Sequence, residues 1–235
     1  MREVDETGKA GGVASGLHLP KWIFGAVLLA LSAALTWWPQ GLETWRYDRD
    51  AIAAGEYWRL VTGHLVHVGA THFALNLLGV LLVTDLLWNE LQARHGFALV
   101  IMSVIVIDIG LWYRYPGLDW YAGLSGLLHG LWAGCALTGL RPAVRSGPCN
   151  GIFVPEKFLP HLINSMALVL LCGKLWIEYQ TGPVSEAVAL IGAPAVYAAH
   201  WYGAMAGAGY ALLLLCLTGW KQRIRARKDF GANFD

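Results

Sequence analysis

The sequence predicts an all-α membrane protein built as a bundle of six transmembrane helices, and three observations carry the prediction. Charged residues make up 14% of the 235-residue chain, where a soluble domain usually carries about 25%. The hydrophobic fraction is 56% before the 28 glycines are counted, against about 45–50% with glycine included in a soluble fold. Five windows contain no Asp, Glu, Lys or Arg: Trp22–Leu42, Leu60–Thr84, Trp120–Leu140, Phe158–Gly173 and Ala187–Trp220. A sixth, Phe97–Tyr113, is interrupted only by Asp108. A hydrocarbon core about 30 Å thick takes roughly 20 apolar residues per helix, so each window is a candidate span.

Taken in order, the spans are expected at 21–38, 69–88, 96–113, 121–140, 159–178 and 194–218. The first has the uncharged length of a retained helix rather than a cleaved leader, and it ends at Trp37-Trp38-Pro39, a mixture suited to an interface. Between spans 1 and 2 lies the one long connection, residues 39–68, whose Trp45, Arg46, Tyr47, Tyr57, Trp58 and Arg59 belong at headgroup depth. The division is a tail at 1–20, a helical domain at 21–220 and a basic tail at 221–235.

Orientation follows from the basic residues, which concentrate on the cytoplasmic side. With the N-terminus inside, Arg2, Lys9, Lys21, Arg94, Arg141, Arg145, Lys157, Lys221, Arg223, Arg225, Arg227 and Lys228 fall inside, which is 12 of the 17. Both termini are therefore expected in the cytoplasm. The net charge of +1 and the lack of a basic stripe argue against nucleic acid. Cys135, Cys149, Cys172 and Cys216 lack the spacing of a disulfide framework or a zinc site.

Polar side chains are costly in hydrocarbon, so each is a candidate for function. Span 2 begins with His64, His67, His72 and Asn76, span 4 opens with Gly123-Leu124-Ser125-Gly126 and carries His129, and span 6 carries His200. Spans 2, 4 and 6 all enter from the outer face. His72, Ser125 and His200 then share one depth, although the spans were assigned without them. A hydroxyl and an imidazole at one depth are the minimum for a serine nucleophile and its general base. His72 and Asn76, four apart on one helical face, and the Ser125 amide at a helix start supply donors for an oxyanion. No carboxylate is expected beside them, so the set reads as a Ser–His dyad. Asp108, Asp85 and Lys174 are expected to be satisfied internally or to snorkel, and His64 and His67 to be structural. Gly126, Gly130 and Gly134, with Gly203 and Gly207, form small-residue stripes that allow close helix approach.

On these residues the sequence resembles the rhomboid intramembrane serine proteases. The resemblance is carried by Trp58-Arg59, His67, His72-x-x-x-Asn76, Gly123-x-Ser125-Gly126 and Ala199-His200-x-x-Gly203-x-x-x-Gly207. It implies a rhomboid-like six-helix bundle with Ser125 as nucleophile, His200 as base, and an oxyanion hole of His72, Asn76 and the Ser125 amide. It also implies cleavage of membrane-anchored proteins near the outer boundary of the bilayer, without metal or other cofactor. Within the family, Trp58 to His67 and the string Gly123-Leu-Ser125-Gly126-Leu-Leu-His129-Gly130 look like the bacterial rhombosortases. Typical rhomboids place a Tyr four residues after the Ser, where it packs on the base, and His129 stands there in this chain. The subgroup implies a bacterial inner membrane, an active site toward the periplasm, and removal of C-terminal Gly-Gly sorting tails from exported proteins. The loop Arg141–Lys157 is longer than the compact family core requires and receives no role.

Other readings compete. A non-proteolytic rhomboid-like client-binding protein would not need the Ser125/His200 pair, although a general rhomboid protease would. A metal-dependent enzyme would use His64, His67, His72, His129 and His200, but the chain lacks His-Glu-x-x-His and shows no accompanying carboxylate. A transporter would show repeated halves, and a soluble α/β-hydrolase elbow does not fit Leu127 after Gly126.

Overall fold

The computed structural model describes residues 21–88, 93–140, 158–182, 189–193 and 196–231. The tail at 1–20, the loop 141–157 with Cys149, and residues 232–235 lie outside the described residues. Helix α1 spans Lys21–Thr36, α2 Gly41–Trp45, α3 Arg49–Ala53, α4 Arg59–Thr62 and α5 Ala70–Leu82. The backbone continues from α5 into a π-helical turn, Val83–Leu87. Helix α6 spans Ala93–Arg114, α7 Ser125–Gly139, α8 Phe158–Thr181 and α9 Tyr197–Gly231.

Four of these elements are long and apolar enough to cross a membrane: Ala70–Leu87, Ala93–Arg114, Phe158–Thr181 and Tyr197–Gln222. Their lipid-facing band is visible as exposed Leu78, Ile101, Val169, Leu170, Leu212 and Leu213. The chain is a multi-pass membrane protein. Helices α1 and α7 are shorter, with 16 and 15 residues. At 1.5 Å per residue α7 reaches only about 22 Å. It is enclosed by protein: Gly126–Leu131, Ala133–Ala136 and Thr138 are all buried. Among the described residues a helix lies near each of the six predicted positions, with boundaries shifted by a few residues, and four of them are long and apolar enough to span. The exception is the last helix, which runs on through Lys221 to Gly231. Its Lys, Arg, Gln and Ala are good helix formers, so the basic segment prolongs the helix.

Residues 39–68 are folded rather than merely interfacial. Beyond α2, α3 and α4 they contribute a strand that a purely helical expectation omits: β1, Tyr47–Asp48, pairs antiparallel with β2, Trp120–Tyr121. Two arginines hold the segment together. Arg59 is buried; its Nη1 donates to the Glu43 and Arg46 carbonyls at 2.8 and 3.0 Å, and its Nε to Glu56 at 2.6 Å. Arg49 donates to the carbonyls of Leu111, Trp112, Tyr115 and Leu118, satisfying the open C-terminal end of α6.

Asp108 on α6 and His64 after α4 form a buried pair, Nε2 to Oδ1 at 3.1 Å, with the His64 ring set edge-on against Tyr121. This bears out the expectation that Asp108 is internally satisfied, with His64 as its partner. Asp85, in contrast, is exposed and lies 4.0 Å from Lys21. Removing one partner of a buried pair leaves the other desolvated, at a cost of about 3–5 kcal/mol. Asp108→Ala is therefore expected to lower stability by about 3 kcal/mol, read as a shift in thermal or denaturant unfolding of the purified protein.

Among the described residues, Cys135, Cys172 and Cys216 are free thiols.

Candidate active site

The site is assembled from the starts of three helices. His72 is in the first turn of α5, Ser125 is the first residue of α7, and His200 is in the first turn of α9. Ser125 Oγ and His200 Nε2 are 2.9 Å apart. The glycine stripes explain that distance. A Cβ on Gly203 would fall on the Gly126 carbonyl oxygen, and one on Gly207 on the Gly130 carbonyl oxygen. The α7 and α9 backbones are therefore in direct contact, and α7 packs more extensively against α9 than against any other element.

The loop before Ser125 is fixed from the side. Gly123 has φ +129°, a conformation L side chains rarely adopt. A Cβ there would lie 2.6 Å from Cε1 and 2.9 Å from Nε2 of His72. Gly123 donates its N–H to the Gly63 carbonyl at 2.9 Å and accepts the Tyr121 hydroxyl at 2.6 Å. Burial and then the Asp108 charge raise the Tyr121 hydroxyl above its ordinary range, so it stays a neutral donor. Asn76 is buried and uses one Nδ2 hydrogen on the His72 carbonyl at 2.9 Å. Among the described residues its second amide hydrogen has no bonded partner. His67 is tied to α1, its N–H donating to Thr36 Oγ1 at 3.1 Å. Burial, followed by the neighbouring His72, pushes the His67 imidazole down to about 3, which keeps it neutral at ordinary pH. This fits a structural part for His67.

His129 stacks on His200 with ring centroids 4.2 Å apart and planes at 12°. Its Nδ1 lies 2.6 Å from the Ser125 carbonyl, an acceptor, so Nδ1 carries the proton. The ring is thus pinned against the imidazole that faces Ser125.

The expectation that no carboxylate shares this depth is corrected by Glu178 on α8. Its two carboxylate oxygens lie 2.9 and 3.1 Å from His200 Nδ1. Lys174, one turn earlier, pairs with the same carboxylate at 2.5 Å and stands 3.4 Å from His200 Nδ1. Lys174 is internally paired, as expected, but beside the candidate base. The available signal was Lys174-x-x-x-Glu178, an i,i+4 ion pair at the C-terminal end of an otherwise apolar helix. Glu178 marks the edge of its span, and hydropathy alone makes such a residue a boundary rather than a site.

His129, Glu178 and His200 also bring possible metal-ligating atoms within 4.8 Å of one another. The donor set fits a cation poorly. Stacked rings direct their in-plane lone pairs in parallel rather than toward one point, both His200 nitrogens already have protein partners, and the Lys174 ammonium repels a cation.

A cavity of about 870 Å³ opens onto Ser125 and His200. It runs along α5 and the π-helical turn after it, from His72 to Leu87, and along α8 from Ile163 to Glu178. Between those helices the wall is mostly apolar, with His72, Asn76, Lys174 and Glu178 at the end that holds Ser125. A hydroxyl in contact with an imidazole, beside an amide donor at the mouth of an apolar cleft, is an arrangement chemically suited to acyl transfer.

A membrane bundle with a Ser–His pair at the start of its central helix defines a narrow class of proteins. Residues 54–216 match the family model described as the Rhomboid domain, and the chain belongs to the rhomboid family. Over 81 residues it is 35% identical to YdcA of Bacillus subtilis (strain 168), which its name proposes as a rhomboid protease. That similarity covers 34% of this chain and 40% of YdcA, less than half of either protein.

Proposed function

We propose that this protein is an intramembrane serine protease in which Ser125 is the nucleophile and His200 its general base. The observation that carries the reading is the 2.9 Å contact between Ser125 Oγ and His200 Nε2 at the mouth of the cavity. As Oγ attacks the scissile carbonyl, Nε2 takes its proton and later returns it to the leaving amine. Water then releases the acyl group through the same base. His72, the free amide hydrogen of Asn76 and the Ser125 N–H face the developing oxyanion. Gly123 and Gly126 allow that approach, and Gly203 and Gly207 seat the base. His72→Ala and Asn76→Ala are each expected to lower the rate about 10²–10³-fold, the usual cost of one oxyanion donor, measured as peptide-bond cleavage at saturating substrate.

The substrates we propose are membrane-anchored exported proteins with C-terminal Gly-Gly tails, the chemistry of a rhombosortase. The fold is the six-helix rhomboid bundle with both termini cytoplasmic, in a bacterial inner membrane, with the site toward the periplasm. Two features support the substrate reading. The string Gly-Leu-Ser-Gly-Leu-Leu-His-Gly carries the subgroup resemblance. The cavity wall near Ser125 is crowded by the rings of His72, Trp120, Tyr121, His129 and Trp132. A substrate helix must unwind to present an extended backbone there. Glycine costs a helix about 1 kcal/mol relative to Ala, and it brings no side chain into the crowded site.

The test is an exported reporter ending in a paired-glycine tail, co-expressed with this protein beside a matched reporter carrying Leu-Leu. Selective, Ser125-dependent trimming of the glycine version is expected. Equal cleavage of both would reduce the reading to a general rhomboid protease. No cleavage, together with no labelling of Ser125 by a fluorophosphonate, would leave a non-proteolytic client-binding member of the family.

A further inference from the structure

We infer that Glu178 is a positioning residue for His200: its carboxylate, itself held by Lys174, captures the Nδ1 proton and leaves the Nε2 lone pair facing Ser125. The inference rests on the reading of Ser125 as nucleophile and His200 as base.

A neutral imidazole carries one proton on one of two nitrogens. To accept the Ser125 proton, Nε2 must be bare, so the ring proton must sit on Nδ1 and find an acceptor there. His200 Nδ1 points at α8, where the Glu178 oxygens lie 2.9 and 3.1 Å away. A charged carboxylate can only accept. With Glu178 in place, Nδ1 donates to it and the base form of the ring is selected. The imidazolium formed during attack then faces a negative charge.

Lys174 sharpens the requirement. Its ammonium is 3.4 Å from the same Nδ1 and has no capacity to accept a hydrogen bond. Without the carboxylate, Lys174 becomes the partner that can donate to Nδ1. That would move the ring proton to Nε2 and turn His200 into a donor toward Ser125 Oγ. The two residues on α8 therefore pull the ring toward opposite tautomers, and the shorter contact to Glu178 decides. Lys174 meanwhile offsets the cost of a carboxylate whose side chain is only 18% exposed. His129 cannot substitute for Glu178. It stacks on the face of His200, and its own proton is committed to the Ser125 carbonyl.

The test uses the purified full-length protein in lipid nanodiscs at pH 8. It reads the rate of fluorophosphonate labelling at Ser125 and the nitrogen-15 shifts of the His200 ring, assigned by their loss in His200→Asn. Glu178→Gln is expected to slow labelling at least about 100-fold, since an orienting carboxylate lost to its amide costs up to about 10⁴ in a serine protease triad. Its thermal unfolding should be unchanged, while the nitrogen shifts move from the Nδ1–H to the Nε2–H pattern. Adding Lys174→Met to Glu178→Gln should recover part of the rate, because the competing donor is gone. Labelling within threefold of wild type with an unchanged Nδ1–H pattern in Glu178→Gln would overturn the inference. If Glu178→Gln does not fold, Lys174→Met alone decides: retention of the Nδ1–H pattern is expected, and a switch to Nε2–H overturns the inference. A wild-type protein that neither labels nor cleaves would remove the protease reading, and the nitrogen shifts would still report whether Glu178 sets the tautomer.

Discussion

Replacing Ser125 with alanine is expected to lower peptide-bond cleavage by at least about 10⁴-fold and to abolish fluorophosphonate labelling, and His200→Ala to do the same to cleavage. The expectation rests on one geometric fact, the 2.9 Å contact between Oγ and Nε2. A serine hydroxyl is a weak nucleophile at neutral pH unless a base removes its proton as it attacks. No second hydroxyl is held against His200 among the described residues, so neither variant has a substitute. The two losses should not add, because the residues act as one unit. The double variant is therefore expected to match either single one. The protein should remain folded and inserted, since truncating Ser125 removes one hydroxyl and leaves the α7 to α9 contact intact. Turnover near wild type in either variant would remove the proposed mechanism.

The second large effect is structural. Gly203→Val and Gly207→Val are expected to prevent α9 from seating on α7. In each case the new Cβ would occupy the position of a backbone carbonyl oxygen, that of Gly126 or Gly130. A flexible side chain could move aside, but a helix backbone cannot. Overpacking a well-packed site typically costs about 1–3 kcal/mol, and a rigid obstacle puts these sites at or above the upper end. Even a folded variant would carry His200 away from Ser125, and a displacement of about 1 Å can cost about 10²-fold in rate. Gly209, also on α9, is the internal control: nothing lies within 4 Å of a Cβ placed there. Gly209→Ala should leave the rate unchanged and stabilise the helix by about 0.5–1 kcal/mol. Thermal unfolding of the purified variants, measured beside their labelling rates, checks all three. A Gly203→Val protein with wild-type stability and rate would contradict the packing account.

Much of this molecule is legible one residue at a time. Hydropathy reports depth along the membrane normal, and depth brought His72, Ser125 and His200 to one level before any packing was considered. The spacing of Gly126, Gly130, Gly203 and Gly207 announced a close helix pair for the same local reason: without side chains, two backbones can touch. Asp108 as an internally satisfied carboxylate also followed from the cost of a charge in hydrocarbon. What depth cannot give is azimuth, the direction in which each helix turns its side chains, because that depends on which neighbours fill the space around it. Glu178 and Lys174 sit at the edge of their span in sequence, and only the packing of α8 beside α9 turns them toward His200. The contact of Gly123 with the His72 ring, the β1 to β2 pairing and the choice of His64 as the partner of Asp108 are likewise nonlocal. In each, the pairing joins residues far apart in the chain, and its energy exists only once both elements are in place. Sequence by itself therefore determined a membrane bundle and the residue types of its site. The tertiary structure decided that Glu178 is the carboxylate facing His200, and it set Ser125 and His200 2.9 Å apart.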